Sequence, residues 1–153
     1  MSAKGKMIYI GSDHAGFEMK QAIKDYLKRS GYEFEDVGPE TFVPDDDYPD
    51  FAKKVCYKVL ANDGVGILMC GSGQGMSITA NRIKGIRAAL SWNEESARLS
   101  RLDLDSNVLC FGGRLIPRET AEKIVETWLT TEFSGASRHV RRIKKIDEQT
   151  EEA

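Results

Sequence analysis

Histidine is scarce in this chain, with only His14 and His139 among 153 residues. That scarcity makes each imidazole a candidate for proton transfer near neutral pH. Cysteine is almost as rare. Cys56, Cys70 and Cys110 are an odd number with no metal-type spacing, and two of them sit in apolar runs. A disulfide framework is therefore excluded, and the pattern predicts reduced thiols in a cytoplasmic protein. No apolar stretch approaches the roughly 20 residues that span a bilayer, and Met1-Ser2-Ala3-Lys4-Gly5-Lys6 lacks the apolar centre of a secretion signal. Charge of one sign is missing too. With a formal net charge of −2 and 30% charged residues, no global field argues for nucleic acid or a membrane as partner.

What is present is enough for one domain that buries a core without disulfide or metal. There is no internal repeat or low-complexity linker, and the expected domain spans 1–153, with 1–5 and 147–153 as flexible ends. Short apolar runs alternate with helical spacing along the whole length. Met7-Ile8-Tyr9-Ile10 reads as a strand, and Phe17 to Arg29 as a helix ended by Gly31. Tyr32 to Val37 is a second strand, followed by a helix opening at Pro49 or Asp50. Val65 to Cys70, Ile86 to Leu90 and Asn107 to Phe111 are three more strands. Between and after them lie helices near Ser77–Arg82, Asn93–Arg101, from Pro117, and from about Ala136 toward Glu148. This alternation predicts an α/β fold, a doubly wound five-stranded parallel sheet with right-handed crossovers. Ligands of such sheets bind beyond the carboxyl ends of the strands.

The strand Val65–Cys70 runs into Gly71-Ser72-Gly73-Gln74-Gly75. Alternate glycines leave backbone N–H groups uncovered, and a helix starting next would aim its positive end at the same point, which suits an anion or oxyanion. The spacing is not a dinucleotide fingerprint, no ribose-binding acid follows the next strand, and no Gly-Lys-Ser/Thr makes it a Walker loop. A smaller phosphorylated or polyol ligand fits better. Cys70, at the last strand position, faces that field, where a thiol can act as base or nucleophile. Asp13 and His14 follow the first strand, where a proton can be exchanged and a hydroxyl bound. Asp45-Asp46-Asp47 lacks the alternate spacing of a calcium loop and reads as a solvated turn, with Asp47-Tyr48-Pro49 able to line the site. Arg138 and Arg142 are four apart on a helix, a fork suited to phosphate, and Arg114 past Gly112-Gly113 is a further phosphate ligand. A thiol, a nest of amides, an Asp-His pair and an arginine fork together suit proton transfer on a phosphorylated carbonyl compound through an enediolate.

These residues also resemble a family. Gly11-Ser12-Asp13-His14-Ala15-Gly16, Asp47-Tyr48-Pro49, Met69 to Gly73 through Ala80-Asn81-Arg82, Gly85 to Ala89, Asn107-Val108-Leu109 with Gly113-Arg114, and Arg138-His139 with Arg142 are similar to ribose-5-phosphate isomerase B, a family that includes galactose-6-phosphate isomerases. The similarity covers roughly residues 7 to 146, in order and at family spacing.

The resemblance implies a Rossmann-like three-layer α/β/α sandwich and an aldose–ketose isomerase of the pentose phosphate pathway. It implies no metal, no cofactor, and a homodimer or tetramer with shared active sites. Cys70 takes the place of the base that shuttles a proton between C2 and C1, whereas some members carry a glutamate at the position of Met76 instead. Gly71, Ser72, Gly73, Gln74 and Gly75 match the loop that holds the enediolate, with Ser72 also catalytic. Asp13, His14, Tyr48, Asn81, Arg114, Arg138 and Arg142 match the substrate contacts. The ribose enzymes carry His-Asn after Ser-Arg, the His helping to open the furanose ring, and this chain has Asp103-Leu104 there. Asp103 would need a raised pKa to serve as an acid. Otherwise His14 takes over, or the substrate is largely open-chain, or it is another sugar phosphate of galactose 6-phosphate or allose 6-phosphate type. A non-catalytic sugar-phosphate-binding protein is the remaining alternative.

Overall fold

A computed structural model describes residues 5–152, and the expected flexible residues 1–4 and 153 lie outside it. Five strands alternate with helices as the sequence predicts. They are β1 (Ile8–Ser12), β2 (Phe34–Gly38), β3 (Val65–Cys70), β4 (Ala88–Leu90) and β5 (Val108–Gly112). The helices are α1 (Phe17–Arg29), α2 (Tyr48–Asn62), α3 (Gln74–Asn81), α4 (Glu94–Leu104), α5 (Arg118–Thr130) and α6 (Ser137–Glu152). Residues 147–152 thus continue α6 as helix rather than trailing as a free end. All strand pairings are parallel, in the order β2-β1-β3-β5-β4.

The three central strands are buried along their whole length, which is why β3 reads as an unbroken apolar run. Successive side chains alternate between two cores. Ile8, Ile10, Ile67, Met69, Leu109 and Phe111 meet Ile23, Leu27 and Trp128 of α1 and α5 on one face. Tyr9, Leu68, Cys70, Val108 and Cys110 meet Val55, Cys56, Met76 and Ala80 of α2 and α3 on the other. The result is a three-layer sandwich. The strand order reverses between β1 and β3, so the loops leaving those strands part and open a crevice at their carboxyl ends.

Local chemistry sets the helix ends. Asn93 caps α4 by accepting from the Ser96 N–H at 2.8 Å, while the Ser96 hydroxyl accepts from the Asn93 N–H, a reciprocal capping box. Pro49 stands in the first turn of α2, where a missing N–H costs nothing. No helix among the described residues is long and apolar enough to cross a membrane.

Candidate active site

The glycine loop turns the last residue of β3 directly into α3, which starts at Gln74, three residues earlier than the sequence suggests. Gly73 is the pivot. Its φ of +79° lies in the left-handed region, and a Cβ there would stand 2.7 Å from the Phe111 carbonyl carbon, so only glycine fits. With the backbone folded this way, the Gly73 N–H donates to Cys70 Sγ at 3.2 Å. Cys70 is 5% exposed, at the rim of the crevice. The other two thiols are removed from chemistry, because burial pushes Cys56 up to about 12 and pushes Cys110 well above its ordinary value. Ser72 and Gly71 are part-exposed beside Cys70, and the Ser72 hydroxyl accepts from the Gln74 N–H at 3.4 Å. Tyr48, the first residue of α2, lays its phenol ring against Gly75 so closely that a Cβ at 75 would collide with it.

The loop after β1 lies next to this nest, since Ser12 pairs with Met69 and a Cβ at Gly71 would be 3.5 Å from that of Ala15. Asp13 is buried and its Oδ1 accepts from the Gly16 N–H at 3.0 Å, shaping the turn into α1. His14 is held firmly. Its backbone N–H and its ring Nδ1 both meet Asp46 Oδ1, at 2.9 and 2.8 Å, and Phe42 packs edge-on against the ring. The reading of Asp45-Asp46-Asp47 as a solvated turn fails for Asp46, whose side chain is 9% exposed. It is drawn inward because it supplies the partner that orients His14. The interaction joins residues 32 apart, so no local spacing announces it. Asp13, His14 and Asp46 are the one group of three potential metal donors found among the described residues, within 4.8 Å of one another. Asp46 Oδ1 and Asp13 Oδ1 are already hydrogen-bonded. From β5, the loop at Gly112-Gly113 brings Arg114 alongside, its backbone N–H donating to the Gly71 carbonyl at 3.1 Å and its side chain exposed.

Asn81 stands elsewhere. Its side-chain NH2 donates to the Ala88 carbonyl at 2.9 Å and its side-chain oxygen accepts from the Ala88 N–H at 2.7 Å, so the amide serves as a surrogate strand for β4. Asp103, Arg138 and Arg142 are grouped at the other end of the sheet. Helix α4 leaves the carboxyl end of β4 and runs back about 16 Å over its 11 residues. Its last turn therefore lies near the start of β5, where His139 Nε2 of α6 meets Asp103 Oδ1 at 3.3 Å. Arg138 and Arg142 flank that contact, exposed and without an ion pair among the described residues. One chain thus places the thiol at one end of the sheet and the arginine fork at the other.

Residues 8–146 match the Ribose/Galactose Isomerase family. A curated relative from Mycoplasma genitalium, a probable ribose-5-phosphate isomerase B, is 43% identical over 91% of this chain and 92% of its own length. Among solved structures, ribose-5-phosphate isomerase B of Thermotoga maritima superposes with a TM-score of 0.90 at 51% identity, covering 94% of this chain and 99% of that one. The Mycoplasma genitalium enzyme solved with ribulose-5-phosphate bound superposes with a TM-score of 0.91 at 42% identity, covering 96% and 97%.

Proposed function

The chain belongs to the Ribose/Galactose Isomerase family, and on that premise we propose that it interconverts ribose 5-phosphate and ribulose 5-phosphate, with Cys70 as the base. One arrangement carries this reading, namely Cys70 Sγ facing the Gly73 N–H inside a nest of amides at the N-terminus of α3. It stands in a chain closely similar to an isomerase solved with the ketose product bound. In the open-chain aldose, the Cys70 thiolate takes the C2 proton. The C–H electron pair becomes the C1–C2 double bond and the carbonyl pair moves to O1. The amides of residues 71–75 face the resulting enediolate, the Ser72 hydroxyl relays the O2 proton to O1, and Cys70 returns its proton to C1. The chain's own side chains and amides supply every proton and every hydrogen bond in this sequence of steps.

Proton NMR in D2O tests it. The C2 proton signal of ribose 5-phosphate should vanish as the ketose appears, and Cys70→Ala should lower turnover by about a thousandfold or more while binding persists. Unchanged turnover in Cys70→Ala would overturn the assignment.

We further propose a homodimer in the cytoplasm, where the three free thiols stay reduced. In it, the exposed Arg138 and Arg142 of one protomer hold the phosphate of the sugar at the other's Cys70. The separation of the two groups within one chain supports this. So does the apolar surface left exposed around them and the free edge of β4, at Trp92, Leu99, Leu104, Val140 and Ile146. Mixing the inactive Cys70→Ala and Arg142→Ala proteins should restore about a quarter of wild-type activity, because half of the exchanged dimers are mixed and each holds one intact site. No recovery after demonstrated subunit exchange would place each site within one chain.

A further inference from the structure

We propose that Asp103 and His139 form the unit that opens the closed sugar ring, His139 delivering a proton to the ring oxygen and Asp103 orienting the imidazole behind it. This rests on the reading of the chain as a ribose 5-phosphate isomerase whose sites are completed by a second protomer.

The need follows from the substrate. An aldopentose 5-phosphate keeps its C4 hydroxyl free and closes on C1 as a five-membered hemiacetal, so Cys70 has no activated C2 proton to take until the ring opens. Opening requires an acid at the ring oxygen. The chain offers two imidazoles, and the structure sets each against one carboxylate, His14 on Asp46 at 2.8 Å and His139 on Asp103 at 3.3 Å.

Position separates the two. The ring oxygen is carried by C4, next to the phosphorylated C5, whereas Cys70 works at C1 and C2. An acid beside the phosphate-holding arginines therefore faces the correct part of the sugar. His139 lies between Arg138 and Arg142 in the first turn of α6 and is 9% exposed. Its Nε2 is turned to Asp103, and its Nδ1 has no hydrogen bond among the described residues. His14 is fixed on the Cys70 side of its own chain by two bonds to one carboxylate oxygen.

The step balances without a further reagent. His139 Nδ1–H gives its proton to the ring oxygen as the C1–O bond breaks and its electron pair goes to that oxygen. The O1–H pair becomes the C1 carbonyl, the O1 proton passes to water, and the imidazole regains a proton from solvent. Asp103 never touches the sugar. It is a positioning residue whose carboxylate stands 3.3 Å from Nε2 and fixes the ring, so that in the imidazolium, where both nitrogens carry a proton, Nδ1–H is the one turned to the sugar.

The test compares a substrate that needs opening with one that does not. Ribulose 5-phosphate has its C5 hydroxyl esterified and cannot close a furanose, so exchange of its C1 proton with D2O bypasses the ring. His139→Gln should lower turnover of ribose 5-phosphate about 100- to 10,000-fold. C1 exchange on ribulose 5-phosphate should change by less than about threefold, which also shows that the variant is folded and assembled. Asp103→Asn should show the same substrate-selective loss to a smaller degree, and Asp103→Glu should recover part of it. Equal losses on both substrates, no loss on either, or a ring-selective loss in His14→Gln instead would overturn the proposal. Retention of both activities in Cys70→Ala would instead bring down the isomerase mechanism on which it stands.

Discussion

Gly73→Ala combines two costs in one residue, and Gly31→Ala isolates the first of them. Both glycines hold left-handed backbone, at φ +79° and +78°, a conformation that costs an alanine about 1–2 kcal/mol. Around Gly31 a Cβ would meet nothing within 4 Å, so the conformational cost is the whole effect. At Gly73 the same Cβ would lie 2.8 Å from a Leu90 methyl and 2.7 and 2.9 Å from the carbonyl carbon and oxygen of Phe111. The methyl can rotate away. The carbonyl belongs to β5, whose ladder with β3 runs through Phe111 and Met69, and it cannot recede without opening that ladder. Overpacking of this kind adds about 1–3 kcal/mol, so Gly73→Ala should cost about 2–5 kcal/mol in all. Urea unfolding followed by circular dichroism, at one protein concentration for all variants, reads the difference. Function should separate the pair more sharply. Moving the Gly73 N–H off Cys70 Sγ removes a donor of the kind worth about 100- to 1,000-fold in rate, while Gly31→Ala should retain full C2 exchange. A Gly73→Ala protein no less stable than Gly31→Ala, or one with undiminished exchange, would refute the claim that the loop is wedged against β5 to aim that amide.

Two further substitutions probe buried charge. Asp36 accepts from Lys20 Nζ at 2.9 Å and Lys24 Nζ at 2.7 Å, and the Lys20 side chain is fully buried. Burial pushes the Asp36 carboxyl up, yet hydrogen bonds from Lys24, Lys20 and the Gly38 N–H outweigh it and hold the group below its ordinary range. A carboxylate depressed by folding stabilises above its unfolded pKa of about 3.9 and loses that contribution as pH falls through the folded value. Asp36→Asn should therefore cost about 3–5 kcal/mol near neutrality, where it strands the Lys20 charge. The gap from wild type in urea should narrow below about pH 4, and a gap constant from neutrality to pH 2 would contradict the assignment. Asp46→Asn keeps an acceptor for the His14 N–H but removes the charge facing the imidazole. It should change stability by no more than about 1 kcal/mol and lower kcat/KM on ribose 5-phosphate by about tenfold or more. Lost stability with unchanged kinetics would make Asp46 part of the scaffold alone.

The half of the site built on one continuous stretch was legible because its chemistry is local. A buried strand, alternate glycines and a helix start occupy Val65 to Asn81, and the structure joins them into the nest around Cys70. Other features depend on partners remote in sequence, and periodicity is silent about them. Asp46 looks like one of three solvated acids until the chain brings it to His14. Lys20 carries a charge that a sequence reading assigns to solvent, yet it lies on the buried face of α1 with Met19, Ile23 and Leu27, and the Pro39 carbonyl accepts a hydrogen bond from its ammonium. The predicted strand Ile86–Leu90 shortens to Ala88–Leu90, and just before it the Arg87 N–H is taken by the Asn107 side chain, leaving less backbone for a ladder.

The arginine fork is a different case, because its spacing on a helix was visible while its address was not. A parallel sheet collects every strand-end loop on one side, and the chain must return each time to the opposite side before the next strand begins. Helix α4 makes that return, and α6 joins its far end through His139 and Asp103. The side chains on α6 are consequently held away from the crevice of their own chain, whatever their fitness for phosphate. A fork with no carboxylate partner among the described residues, beside the β4 edge and exposed tryptophan and leucine side chains, fits the proposal that a second molecule covers it. In the homodimer proposed above a second copy would supply what each end lacks, the fork of one protomer anchoring the phosphate of a sugar held at the other's thiol and amide nest.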